Sequence, residues 1–212
     1  MKPEHRFHSY VAAATVTVMY FVIQKLLPLL SLYPSVDSYL KPAASLLLSI
    51  GVYKLLATLL LGFARKLRFV KRHLLGASYV NGTWIGKFKA SDSSIVYTVE
   101  HFEQTLSSLK VRGQAFRDSG DSYAQWNSES ETIDEVSGLL IYTYNCDKTS
   151  ERGSFRGACV FQFERMDETR GPSRLRGYSA DLEDGVRTEN QESKISEALL
   201  PFDEALRAAK SA

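Results

Sequence analysis

The sequence predicts a membrane-anchored all-β protein, with two N-terminal transmembrane helices followed by a compact antiparallel β domain. Three observations carry this reading. Two long apolar runs occupy residues 10–33 and 42–64, a basic cluster follows the second, and from Tyr79 onward the hydrophobic pattern changes from helical to period two. The implied organisation is a hairpin at 1–75, a β domain at 76–192 and a tail at 193–212.

From Tyr10 to Gln24 the first run is uncharged and rich in Ala, Val, Thr and aromatics; Lys25 interrupts it, and Leu26 to Tyr33 completes the length. A cleaved signal peptide has a shorter apolar core and a small-residue cleavage site, whereas Pro28, Leu29, Leu30 and Leu32 continue this one, so a retained helix is expected. The second run holds a single charge, Lys54, among ten residues from Leu46 to Leu61 that are all Leu, Ile or Val. At 1.5 Å per residue either run crosses a hydrocarbon core of about 30 Å. Arg65, Lys66, Arg68, Lys71 and Arg72 close the hairpin, Lys2 and Arg6 precede it, and only Asp37 and Lys41 lie in the linker Pro34–Lys41. The positive-inside bias then places the amino terminus and everything after Gly76 in the cytoplasm, with Tyr10, Tyr33 and Tyr39 at interfacial positions.

Lys25 and Lys54 are expected roughly 12 and 18 Å below the outer ends of their helices. A lysine at such depth costs a few kcal/mol and commonly faces a partner or a hydrated cavity, and neither span contains a carboxylate. In an assembly of hairpins, these lysines and the small residues Ser45 and Ser49 would favour a hydrated, leaky bundle.

The β domain opens with Gly82–Lys89 and continues through Ile95–Gln104, Leu106–Phe116, Ser122–Ser128, Leu139–Cys146, Ser154–Arg165, Arg174–Leu182 and Val186–Gln191. Connectors such as Ala90–Ser94, Arg117–Asp121 and Asp147–Gly153 are short and polar, as antiparallel hairpins require. Such a meander forms either a sandwich or a closed barrel, and closure removes exposed edges while leaving an eight-stranded interior wide enough for one small ligand. The tail, Ser193–Ala212, reads as a short amphipathic helix begun by Pro201.

Charge separates the two parts. Residues 1–76 hold ten Lys and Arg against two acidic residues, and residues 77–212 hold sixteen against twenty-two. A β domain of net charge −6 argues against a DNA or RNA polymer as partner, since that affinity rests on many cations. Four scattered histidines and two cysteines, Cys146 and Cys159, show no metal-ligand spacing, phosphate loop or nucleophile elbow. The expectation is a binding protein without catalytic residues, metal or cofactor, whose cysteines are free thiols.

Gly82-Thr83-Trp84 resembles the Gly-x-Trp that opens lipocalin barrels, where the Trp plugs the closed end. Further on, Leu140, Tyr142 and Tyr144 alternate on one face, Trp126 stands between Ala124 and Ser128, Arg174, Arg176 and Tyr178 share a face, and Arg156 lies opposite Phe155. Flat rings stack on bases and guanidinium forks hold phosphates, so Trp126, Tyr142, Tyr144, Arg156, Arg174, Arg176 and Tyr178 are the candidate ligand-binding residues. Together with Ser122 through Trp126 to Ser128, and Gly177-Tyr178 running on to Gly185, these motifs resemble the two-helix, β-barrel membrane effectors of bacterial cyclic-oligonucleotide antiphage signalling (CBASS). The resemblance implies an eight-stranded up-and-down barrel on the cytoplasmic side of the bacterial inner membrane. There it would bind a cyclic dinucleotide made by a phage-activated nucleotidyltransferase, oligomerise with further copies of itself and disrupt the bilayer. The competing expectation is a tethered lipocalin-like carrier of a lipid or other apolar ligand, with Leu140, Val160, Phe161 and Phe163 lining its pocket and no convergent arginines.

Overall fold

A computed structural model describes residues 3–30, 40–90, 92–149, 153–165, 167 and 169–211. The chain divides into two compact units, Met1–Leu74 and Leu75–Ala212.

The first unit is a helical pair with a short third helix: α1 (Pro3–Leu30), α2 (Leu40–Lys66) and α3 (Arg68–Leu75). Pro3 suits a first helical turn, which also carries Glu4, and the helix therefore begins seven residues before the expected Tyr10. Within these helices, Pro3–Lys25 and Ser45–Ala64 are long and apolar enough to cross a bilayer. Leu46, Leu47, Leu55 and Leu59 are exposed, as an apolar surface awaiting lipid would be. The His8 Nδ1 and the Tyr53 hydroxyl lie 2.6 Å apart, joining α1 to α2, and the Tyr10 hydroxyl and His73 Nε2 lie 2.9 Å apart, joining α1 to α3. Each residue of the basic cluster is helical, with Arg65 and Lys66 ending α2 and Arg68, Lys71 and Arg72 in α3. Tyr33, Tyr39 and the linker from Pro34 to Tyr39 lie outside the described residues.

The second unit is a closed eight-stranded antiparallel barrel, with each strand paired to its sequence neighbours and the last to the first. Its strands are β1 (Gly82–Lys89), β2 (Ile95–Gln104), β3 (Leu109–Arg117), β4 (Ser122–Asp134), β5 (Leu139–Lys148), β6 (Ser154–Glu164), β7 (Arg174–Asp181) and β8 (Arg187–Ser196). Of the two architectures that the meander allowed, the barrel is the one formed. β3 starts at Leu109 rather than Leu106 because the Thr105 hydroxyl caps the turn, accepting from the Ser107 and Ser108 N–H groups. β4 and β5 run on to Asp134 and Lys148 as one long ribbon, in which a bulge at Glu129 resets the register. β8 extends to Ser196 because closure demands it: Thr83 pairs with Ser196 and Trp84 with Lys194.

The tail beyond β8 forms α4 (Phe202–Ser211), which covers the outer face of β1–β3. Ala205 and Ala209 pack on Ile85, Val99 and Phe116, and the Phe202 ring lies 4.2 Å from that of His101. The expected amphipathic helix is thus docked on the barrel's outer face, with Ala205 and Ala209 buried in a second apolar cluster.

One end of the interior is plugged. Trp84 is fully buried, stacked on Phe102 at 5.5 Å, and its indole N–H donates to the Val80 carbonyl at 2.8 Å. Gln104 ties down the incoming strap, accepting from the Val80 N–H at 2.8 Å and donating to the Ser78 carbonyl at 2.7 Å. Val111, Leu140, Phe161 and Leu175 complete this apolar layer without exposure.

Candidate functional site

Above the plug the barrel is hollow, with a cavity of about 210 Å³. Its mouth lies at the opposite end, among Lys89, Ala90, Lys148, Phe155, Asp181 and Asp184. The walls come from alternate residues of the strands: Thr98 and Glu100 from β2, Trp126 from β4, Tyr142 and Tyr144 from β5, Cys159 from β6, and Asn190 and Glu192 from β8.

Glycines on the inner face make space for the larger side chains. A Cβ at Gly113 would run into the Trp126 indole, which lies across the neighbouring strand, and a Cβ at Gly86 would meet the Glu192 carboxyl within 2.6 Å. Tyr144 lies over Gly157 in the same way.

Two carboxyl groups, Glu100 and Glu192, form the cavity's floor, and both are almost entirely withdrawn from solvent, at 3 % and 2 % exposure. Glu100 Oε1 accepts from the Tyr142 hydroxyl at 2.8 Å and from the Trp126 indole N–H at 3.1 Å. Glu192 Oε1 accepts from the Thr98 hydroxyl at 2.8 Å. The second oxygen of each carboxyl has no partner among the described residues.

Burial pushes the Glu100 carboxyl up to about 7, although its bonds from Tyr142 and Trp126 pull the other way. Burial, then the charge of Glu100, lifts Glu192 well above the carboxylate range. Two like charges in one dry site resist joint ionisation, so the pair retains at least one proton at neutral pH. Tyr142 is raised by burial and then by the neighbouring Cys159 and Glu100, which keeps its hydroxyl protonated as a donor. Burial also pushes the Cys146 thiol up to about 12 and raises Cys159, so neither is a thiolate nucleophile at neutral pH.

Of the sequence-predicted set, Trp126, Tyr142 and Tyr144 converge on the cavity. Arg156, Arg174 and Arg176 do not; they are exposed on the outer wall, where Arg156 pairs with Glu129 at 3.2 Å. Tyr178 is half-buried on the same outer surface under the Arg187 guanidinium, 3.5 Å from its ring centre. The reason is strand alternation: Leu175 and Ser179 point inward on β7, so residues 174, 176 and 178 point outward. The apolar set Leu140, Phe161 and Phe163 is packed as core, half-buried Val160 lies on the outer wall, and none of the four lines the cavity. Lys25 and Lys54 are exposed side chains on α1 and α2.

Glu100 and Glu192 were missed by the sequence reading. A signal existed for the first, because Glu100 shares strand parity with Val96, Thr98 and Phe102 and so falls on an otherwise core-facing side. No comparable signal marks Glu192, whose strand is polar apart from Ile195, which lies at the opposite parity.

No protein-family model matches the chain, and no curated protein matches it. Solved structures similar to the barrel include a de novo designed fluorescence-activating β-barrel, at 16 % identity over 56 % of this chain and 96 % of that one with a TM-score of 0.37. Another is a redesigned β-barrel, mFAP1, bound to DFHBI, at 16 % identity over 57 % and 98 % with a TM-score of 0.39.

Proposed function

We propose that this protein is a membrane-tethered receptor whose barrel takes a cyclic dinucleotide at its open end and whose helices disrupt the bacterial inner membrane when copies assemble. It would thereby act as an antiphage effector rather than as an enzyme. The observation that carries the reading is the cavity: an aromatic and polar chamber with unmet hydrogen-bonding groups on its floor. Such a lining suits a flat, hydrogen-bonding ligand, whereas a fatty acid would leave the two carboxyl groups desolvated and unanswered.

In this reading the rings of Trp126, Tyr142 and Tyr144 contact the base, and Lys89 and Lys148 at the mouth meet the phosphates in place of the outward-facing arginines. The helices sit in the inner membrane with the barrel in the cytoplasm, where the messenger is made. Binding drives assembly only if the assembled state holds ligand more tightly than the dispersed one, because a ligand shifts an equilibrium through differential affinity alone. Tethering then concentrates the hairpins in one patch of lipid, where Lys25 and Lys54 would draw water into the bundle.

The test is calorimetric titration of the full-length protein in detergent against cyclic dinucleotides and, separately, a fatty acid. Saturable binding of a cyclic dinucleotide, with ligand-dependent dye release from liposomes carrying the protein, is expected. Uptake of the fatty acid with silence across the nucleotides would overturn the proposal in favour of a tethered carrier.

A further inference from the structure

We propose that Glu100 and Glu192 form the floor of a nucleobase pocket that selects a base bearing an exocyclic amino group. This deepens the receptor reading above and rests on it.

Three observations lead there. Glu100 Oε2 and Glu192 Oε2 are buried at the cavity floor without partners among the described residues, although the other oxygen of each carboxyl is engaged. A buried acceptor left unmet costs about 1–3 kcal/mol, and a ligand that supplies the missing donors recovers that cost. Next, the chamber of about 210 Å³ is smaller than the roughly 300–1,000 Å³ of clefts that enclose a whole drug-sized ligand. One planar nucleobase fits inside, and the sugar–phosphate ring stays at the mouth. Finally, the wall above the carboxyl groups is aromatic, with Trp126 and Tyr142 held by their bonds to Glu100, so an inserted base finds both a stacking surface and a hydrogen-bonding floor.

Counting donors and acceptors selects among bases. Each free oxygen has two lone pairs, and one shared proton turns one of these four positions into a donor, leaving a surplus of acceptors. Adenine and cytosine bring two amino hydrogens beside a ring nitrogen that can accept the proton. Guanine brings a ring N–H and an amino group. Uracil brings one N–H flanked by two carbonyls; the shared proton can answer one of them, and the other faces a carboxyl oxygen with nothing to donate, while only one hydrogen meets the surplus of acceptors. The floor therefore discriminates against uracil, by the mechanism through which any site built of buried polar groups rejects a ligand that leaves them unpaired.

The experiment is calorimetry on the full-length protein in detergent with cyclic di-AMP, cyclic di-GMP and cyclic di-UMP, repeated on Glu192→Gln. In that variant an amide can retain the bond from Thr98 while placing N–H where the free acceptor was. The expected result is at least tenfold tighter binding of cyclic di-AMP or cyclic di-GMP than of cyclic di-UMP, with the preference reduced at least tenfold in Glu192→Gln. Thr98→Val, which removes only the hydroxyl that orients Glu192, should reduce it less, and this variant decides the matter if the amide variant fails to fold. Cyclic di-UMP binding as tightly as the amino-bearing ligands, or a preference unchanged in the variants, would overturn the inference while leaving the receptor reading intact. Silence of the wild-type protein towards all three ligands would overturn both.

Discussion

The two halves of the barrel interior contrast sharply. At the plugged end Trp84 donates to Val80, Gln104 is bonded on both sides of its amide, and Phe102, Leu140 and Phe161 fill the layer without exposure. A few ångströms towards the mouth, the same strands hold two carboxyl groups with unmet oxygens beneath an open chamber. One half is built to be stable. The other carries a standing energetic cost, which is the usual mark of a site that awaits something.

The strongest way to break this contrast is to remove the plug. Trp84→Ala deletes the largest fully buried side chain and orphans the Val80 carbonyl, and it should cost about 3–5 kcal/mol of barrel stability. Chemical denaturation monitored by circular dichroism in the β-sheet region would report it, and a loss below about 1 kcal/mol would contradict the division.

Next in size is the pH dependence of the chamber. The carboxyl of Glu100 sits at about 7 in the folded barrel against the usual 4.5, so the folded state holds a proton that the unfolded chain has released. The stability associated with that proton is fully present below about pH 4.5 and is lost as pH rises through 7, with Glu192 extending the loss further upward. The loss should amount to roughly 3 kcal/mol. Both tryptophans lie in the barrel, so their fluorescence follows its melting independently of the helices. Melting temperature should fall from pH 5 to pH 8 in the wild type and fall less in Glu192→Gln.

Gly113→Ala should have a smaller effect, about 1–3 kcal/mol, by pushing the Trp126 indole off its place and weakening its bond to Glu100. A shift in tryptophan emission should accompany the lower melting temperature. Smallest of all is Arg174→Ala on the outer wall, expected within about 0.5 kcal/mol of the wild type and without effect on ligand affinity. A tenfold loss of affinity there would show that the outer surface, and not the chamber, binds the ligand.

The local pattern read most of the barrel correctly. Gly82–Lys89 and Ile95–Gln104 have the expected bounds because β-branched alternation ends at turn residues on both sides. Errors gathered where pairing rather than composition sets the limits, as in the extension of β8 to Ser196 and of β4 to Asp134. Within the candidate site, Trp126, Tyr142 and Tyr144 were legible because large aromatics at one parity stand out. The arginines of β6 and β7 were assigned to binding by residue type and shared face, before that face could be referred to an inside or an outside.

By itself the sequence determined the parts: two helices long and apolar enough for a bilayer, a basic end to the second, and eight strands. These are consequences of periodicity and side-chain chemistry within short windows. Only the tertiary structure decided which face of each strand is enclosed, and that Glu100 and Glu192, ninety-two residues apart in the chain, share one floor across the β1 strand between them. Strand alternation defines two faces but does not name them; closure of the sheet does, because it alone makes one of those faces an interior.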